Sequence, residues 1–189
     1  AMSALDALLR PRSVAVIGAS ADATKMTGRP VGYLQHHGFA GAIWPVNPRA
    51  QSIAGLPCYP DVASLPGAPD AAIVLLGPER AEAAVRDLAE RGCRAAIVLA
   101  SGYGEANADG ARRQEALKQA AGGMRLLGPN TIGLVNLTDG IMLSATGALE
   151  VGDLPTGRIS VVSQSGGILG ALLSRAADRG IGFAKLVST

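Results

Sequence analysis

Three short clusters have the residue types and spacing to hold a phosphate. The first follows a β-branched run. Val14-Ala15-Val16-Ile17 breaks at Gly18-Ala19-Ser20, and a helical pattern opens near Thr27-Gly28-Arg29, with Pro30 in its first turn. Glycine amides, hydroxyls and a guanidinium at a strand-to-helix crossing suit an anion, because a helix N-terminus carries N–H groups with no intrahelical partner. Pro30 fits that first turn, where a missing N–H costs nothing. The second cluster, Asn47-Pro48-Arg49, follows the apolar run 42–46. If both runs are parallel strands, Arg49 falls on the same carboxyl edge as the glycine turn, the edge at which open α/β sheets bind ligands. The third, Ser163-Gln164-Ser165-Gly166-Gly167, again joins an apolar run to a helical pattern.

Each cluster also excludes something. The glycines of the first do not spell G-x-G-x-x-G, and no Asp or Glu follows the second run to accept from an adenine ribose. The first loop therefore suits a phosphorylated nucleotide and makes NAD a poor candidate, while Arg49 leaves an opening for NADP. Ser165 has nucleophile-elbow spacing, but that chemistry needs an acid and a His after the Ser. The two histidines, His36 and His37, precede it. Ser163, Ser165 and Gly166 read instead as a phosphoryl-binding helix start. Adjacent helical residues point about 100° apart, so one of His36 and His37 is expected half-buried and the other exposed, and neither has metal partners at ligand spacing. Two further loops, Leu76-Gly77-Pro78-Glu79 and Ala100-Ser101-Gly102-Tyr103-Gly104-Glu105, end apolar runs in small residues that let a ligand approach the backbone. Taken singly, each cluster is an ordinary turn with a capping hydroxyl or a surface charge. Their convergence on one edge gives them weight. No residue is assigned as catalytic and none as a metal ligand.

The elements that must position these loops are legible as apolar runs: Ser13–Ile17, Ala42–Val46, 71–76, 95–100 and 124–127. Runs 71–76 and 95–100 are apolar throughout, the pattern of parallel strands covered on both faces. Between them Ala81, Val85, Leu88 and Ala89 form one helical stripe, stopped by Gly92, and 111–121 forms a second helix ended by Gly122-Gly123. Alternating strand and helix predicts right-handed crossovers and a doubly wound parallel sheet. After Leu127 the rhythm breaks at Gly128-Pro129-Asn130, and 131–156 reads as an irregular, partly extended connector. A new strand–helix–strand unit then runs through 159–162, 168–179 and Phe183–Ser188. Such a unit cannot close a core alone. The expected organisation is a complete domain over 1–127, a connector over 128–157 and the incomplete start of a second domain over 158–189.

Composition narrows the class. Hydrophobic residues make up 48% of the 189 residues and aromatics 3%, so the core is built from Ala, Val, Leu and Ile. A net charge of +2 is too small for a nucleic-acid footprint. No apolar run approaches the ~20 residues of a membrane span, and the N-terminus lacks a signal-peptide core. No nucleic-acid or membrane partner is expected, and a cytoplasmic location is. Cys58 and Cys93 stand in no metal spacing and read as reduced thiols, Cys93 near-buried ahead of a strand.

With these residues in hand, the chain resembles the NDP-forming (ADP-forming) acyl-CoA synthetases, relatives of the succinyl-CoA synthetase alpha subunit. The matching phrases are SVAVIGAS…GRPVGYLQHHGFAGAIWPVNP, GLPCYPDVASLP…DAAIVLLGPE, RAAIVLASGYGE, RLLGPNTIGLVN and ISVVSQSGGILG, in family order over nearly the whole chain. The resemblance implies a CoA-binding, Rossmann-like doubly wound domain followed by the beginning of a flavodoxin-like ligase domain. It implies CoA contacts at Gly18, Ser20, Gly28 and Arg49, the last where relatives often carry Lys. Gly77-Pro78 and Ser101-Gly102 would line the route of the pantetheine arm. The SQSG turn matches the helix start that steadies a phosphohistidine, and that histidine is expected beyond Thr189. So is the ATP-grasp domain or subunit that uses ATP/ADP and Mg²⁺. The implied reaction is acyl-CoA + ADP + phosphate ⇌ acid + CoA + ATP, with this portion inactive alone, CoA or acyl-CoA as its ligand, and a homo-oligomer as a possible assembly. The alternatives are a regulatory module of a protein lysine acetyltransferase, an NAD(P)-binding oxidoreductase module, and a stand-alone CoA-binding protein, against which the opening of a second domain argues.

Overall fold

The computed structural model describes residues 1–104 and 107–189; Glu105 of the Ala100–Glu105 loop lies outside the described residues. The chain begins with α1 (Ala4–Leu9), whose cap Ser3 and residue Asp6 bond each other's backbone reciprocally. There follow β1 (Ser13–Ile17), α2 (Arg29–His36), β2 (Ala42–Val46), and a two-stranded ribbon of β3 (Ser52–Ile53) and β4 (Leu56–Pro57). Next come β5 (Ala71–Val74), α3 (Pro78–Glu90), β6 (Ala95–Val98), α4 (Ala108–Ala121) and β7 (Arg125–Leu127). The last third carries β8 (Gly133–Asn136), β9 (Ile141–Ser144), β10 (Thr156–Ser163), α5 (Gly166–Asp178) and β11 (Phe183–Ser188).

The expected doubly wound sheet is present: five parallel strands in the order β2-β1-β5-β6-β7. The chain moves outward from β1 to β2 and then returns to the other side of β1, so its direction of winding reverses between β1 and β5. Loops diverge at such a switch point and leave a crevice outside the carboxyl edge. Runs 71–76 and 95–100 leave the ladder at Val74 and Val98, and residues 75–76 and 99–100 line that edge instead. One face of the sheet packs on α3 and α4 through Ala81, Val85, Leu88 and Leu117. The other packs on α1 and α2 through Ala7, Val31 and Leu34.

The segment 131–156, read from sequence as an irregular connector, is more ordered than that. β8 and β9 form an antiparallel hairpin, and β8 pairs with β11 in a mixed sheet ordered β10-β11-β8-β9. Leu134, Ile141 and Leu143 enter the first domain's core, while Val135 and Met142 face α5. A hairpin covered on both faces shows no apolar–polar alternation, and its strands are four residues each, so its sequence lacks the usual strand signal. Asn136 is fully buried and holds the hairpin turn and α1 together, donating from Nδ2 to the Leu9 carbonyl at 2.7 Å and to Asp139 at 2.9 Å.

A buried carboxylate anchors the opposite edge of the parallel sheet. Asp70 accepts from the Arg12 backbone N–H at 2.9 Å and from Arg12 Nε at 3.0 Å, and its own N–H donates to Ser13 Oγ. Burial pushes its carboxyl up, but the Arg12 bonds outweigh that and hold it below the ordinary value. A depressed folded pKa means that the stabilisation is present above the unfolded pKa of about 4 and is lost as pH falls through the folded value. Asp70→Asn should therefore cost about 1 kcal/mol at neutral pH, since the guanidinium is largely exposed. Urea unfolding followed by circular dichroism should also show a shallower loss of stability below pH 4. An acid limb identical to that of the parent would assign the pH dependence to other carboxylates.

Candidate functional site: a two-chambered groove on the carboxyl edge

Two cavities open at the switch point, of about 630 Å³ and about 770 Å³, and both are lined by Leu75 and Leu76. The first lies against the loops after β1 and β2 and gathers Gly18, Ser20, Lys25 and Arg49, with Arg80 from the first turn of α3. The second lies over the ends of β5 and β6 and reaches the start of α5, gathering Gly77, Pro78, Ser101, Gly166 and Gly167. Of the residues expected from sequence, Gly28, Gly102, Ser163 and Ser165 line neither cavity. Gly102 lies behind Pro78, where an added Cβ would meet Pro78 Cγ at 3.4 Å.

The β1 loop is built by bonds that turn its donors inward. Gly18 N–H donates to the Val46 carbonyl at 3.0 Å, Ser20 N–H to the Thr27 carbonyl at 3.1 Å, and Gly28 N–H to the Lys25 carbonyl at 2.9 Å. Ser20 Oγ accepts from the Asp22 N–H. The expected cradle of free backbone amides is thus largely spent on the loop's own shape. Gly28 is buried beneath the loop, where a Cβ would stand 2.1 Å from the Asp22 carbonyl oxygen, so glycine is needed for close packing. Gly18 is in the left-handed region at φ +81° and abuts Leu76. Positive charge in this cavity comes from side chains, of which Lys25 and Arg80 were missed in the sequence because they lie on segments far from Arg49.

Asn47 holds the two loops in place. Its Nδ2 donates to the Ala19 carbonyl at 2.8 Å, while its Oδ1 accepts from the Arg49 N–H at 2.8 Å. One amide therefore fixes the β1 turn and points the chain that carries Arg49 along the same edge. An Asp here could not donate to Ala19, which is a physical reason for an amide where dinucleotide sites carry an acid. Asp61 and Asp87 also line this cavity. The Asp61 carboxylate already accepts from the Ser64 amide and hydroxyl at 2.8 and 2.7 Å, which hold its carboxyl below the ordinary range.

Arg29 departs from its expected place. Its guanidinium turns away from the β1 loop and into the second cavity, with Nη1 3.4 Å from the Ala145 carbonyl and Nε 3.5 Å from the Glu150 carboxylate. Tyr33, one turn on, donates to Glu150 at 3.3 Å. Burial first and Glu150 second push the Tyr33 hydroxyl up to about 12, so it stays a donor. His37 Nε2 lies 2.9 Å from the Leu149 carbonyl and is half-buried while His36 is exposed, as the sequence suggested.

At the far end, α5 is capped by Ser165, whose Oγ accepts from the Ile168 N–H. The Ser165 N–H, expected to point at an anion, instead donates to Ser163 Oγ at 3.0 Å. Gly166 and Gly167 are left as first-turn amides without intrahelical partners, and both line the cavity. Gly166 is packed against Ile132, where a Cβ would come within 2.6 Å, whereas Gly167 faces open space. The two cavities thus meet at Leu75 and Leu76: one is rich in cations, and the other is lined by small, apolar and neutral polar residues with Arg29 as the one cation among the described residues. A ligand matching both carries phosphates at one end and a slender, uncharged arm at the other.

Comparison with known proteins gives the family. The CoA binding domain profile matches residues 12–136, and the succinyl-CoA ligase like flavodoxin domain profile matches residues 156–189. The ADP-forming acetate–CoA ligase I of Archaeoglobus fulgidus is 34% identical over 97% of this chain and 26% of its own length. A trans-feruloyl-CoA synthase from an unknown prokaryotic organism is 34% identical over 98% of this chain and 27% of its own length. Among solved structures, the apo dinucleotide-forming acetyl-coenzyme A synthetase 1 of Ca. Korarchaeum cryptofilum superposes with a TM-score of 0.90 and 31% identity, covering 97% of this chain and 39% of that one. The chain spans between about a quarter and two fifths of the length of the curated relatives it matches. With more than half of its 189 residues inside a single family match, and with the cation-rich cavity lying within that span, the chain belongs to the CoA-binding domain family.

Proposed function

We propose that this chain is the CoA-binding portion of an ADP-forming acyl-CoA synthetase, in which acyl-CoA, ADP and phosphate interconvert with acid, CoA and ATP. The observation that carries the reading is that the two chambers share Leu75 and Leu76 as lining, with Lys25, Arg49 and Arg80 gathered in one and Arg29 as the one cation among the described residues of the other. CoA has the matching form: a nucleotide with phosphates, then a thin pantetheine arm ending in a thiol. Lys25, Arg49 and Arg80 would hold the phosphates, because a guanidinium or ammonium paired with phosphate forms bonds about twice as strong as neutral ones. Gly18 and Ser20 would border the nucleotide. Gly77, Pro78, Ser101 and Gly102 would shape the path of the arm, and Gly166, with Ser163 and Ser165 behind it, would close its far end. When bound, CoA supplies the thiol that accepts the acyl group. The chain's own part is to orient that arm along a largely uncharged wall.

The remaining parts of the reading rest on the family. The domain division stays 1–127, 128–157 and 158–189, with the β8–β9 hairpin as the ordered part of the middle segment. The phosphoryl-carrying histidine, the rest of the ligase domain, and an ATP-grasp domain or subunit using ATP/ADP and Mg²⁺ would belong to the longer enzyme. No described helix is long and apolar enough to cross a membrane. A cytoplasmic enzyme, possible as a homo-oligomer, is the setting we propose. Relatives named for acetate and for trans-ferulate match this segment equally well, which supports a shared CoA-handling role for it.

Calorimetry at moderate salt tests the reading: CoA should bind the chain more tightly than NADH, and the reverse order would overturn it. A second test resolves the phosphate end. Arg49→Ala should weaken CoA by about 1.5 kcal/mol, the low end for a hydrogen bond to a charged group because Arg49 is exposed. It should weaken dephospho-CoA less. Equal losses for the two ligands would move Arg49 off the phosphate that only CoA carries.

A further inference from the structure

The second chamber is neutral along its described walls except at one point. Among the described residues, Arg29 is the single ionisable side chain lining its roughly 770 Å³. The guanidinium is only partly engaged. Nε is shielded from solvent and makes no hydrogen bond, with the Glu150 carboxylate at 3.5 Å as an ion-pair partner, and Nη1 makes one long bond to the Ala145 carbonyl. A guanidinium offers five donors in a planar fork that matches a carboxylate. Glu150 is more exposed than Arg29, 60% against 31% for the side chains, so the partner sits toward solvent while the cation sits inward.

We propose that Arg29 receives the carboxylate of the acid substrate, and that Glu150 holds the guanidinium in place and competes with that carboxylate. The inference rests on the acyl-CoA synthetase reading and adds a substrate class to it. The chamber offers one cation, and the flanking wall is apolar at Leu75, Leu76, Leu99 and Ile132. One charge and an apolar wall select a monocarboxylic acid with an uncharged tail. A dicarboxylate would bring a second charge to a chamber whose described walls offer no second cation, only the neutral amides of Gly166 and Gly167 at its far end, and a charge held away from water without a charged partner is costly. Arg29 also sits at the start of α2, directly after the loop that borders the nucleotide chamber, so the acid and the CoA arm would meet in one chamber from opposite sides.

The test follows the Arg29 Nε–H resonance of the full 189-residue chain by NMR during titration with propionate and, separately, with succinate and inorganic phosphate. Propionate should shift that resonance and saturate in the millimolar range, and succinate should bind at least threefold more weakly. Phosphate should act as a competitor of propionate. Glu150→Gln keeps an amide oxygen that can still accept from Arg29 and Tyr33 while removing the rival charge, so it should tighten propionate at least threefold. Arg29→Gln should abolish saturable propionate shifts at Ser101 and Gly167 while CoA affinity stays within a factor of three. The inference falls if Glu150→Gln weakens propionate, if succinate binds as well as propionate, or if phosphate fails to compete. It also falls if Arg29→Gln weakens CoA as much as propionate, which would make Arg29 a ligand of the CoA phosphates. Tight CoA binding by the parent chain in any of these cases keeps the functional reading standing, whereas failure to bind CoA removes it.

Discussion

The carboxyl-edge site depends on the parallel register of β1, β5 and β6. Ala15, Ala72 and Ala96 stand in one row across the three strands, and Val16, Ile73 and Ile97 in the next. The first row and its alternates face α3 and α4, and the second faces α1, α2 and the β8–β9 hairpin. Because both faces are buried, a slip of one residue would exchange the two sets and pack the wrong volumes on each side. The same register brings the ends of β1 and β5 level, so their loops part over a common crevice. The alanine row lets α3 lie close to the sheet and carry Gly77, Pro78 and Arg80 to its rim.

Helix α2 then ties the crevice to the second sheet. Its N-terminal end follows the β1 loop, and its side chains Arg29, Tyr33 and His37, at successive turns, reach Ala145, Leu149 and Glu150. That short stretch packs in turn on α5 through the fully buried Leu149. The cation-rich cavity and the start of α5 are therefore connected through one helix and one 3-10 turn, Gly147–Leu149.

The five-stranded sheet was readable from sequence because its strands are unbroken apolar runs separated by glycines. β1 and β2 coincide with the expected spans, whereas β5 and β6 are shorter by the residues that bend into the groove. The β8–β9 hairpin was not readable, since burial on two sides removes the alternation that marks a half-exposed strand. The site divides in the same way. Gly18, Arg49, Gly77 and Ser101 could be placed on one edge from their positions after strands. Lys25 and Arg80 could not, because their convergence on Arg49 depends on how the β1 loop folds over and how α3 begins. The direction of Arg29 depends on helical phase, and a spacing argument alone assigns it to the loop it follows. The inward-turned amides of Gly18, Ser20, Gly28 and Ser165 follow from hydrogen bonds that only the folded chain displays.

The central claim is that one ligand occupies both chambers through the Leu75–Leu76 neck. The most direct measurement is the pattern of backbone amide shifts when the isotope-labelled chain is saturated with CoA. A single slow or fast titration should perturb residues of both chambers with one dissociation constant: Gly18 and Arg49 at one end, Gly77 and Ser101 beyond the neck, and Gly166 or Gly167 at the start of α5. Shifts confined to one chamber, or a separate constant for each, would contradict the continuous groove.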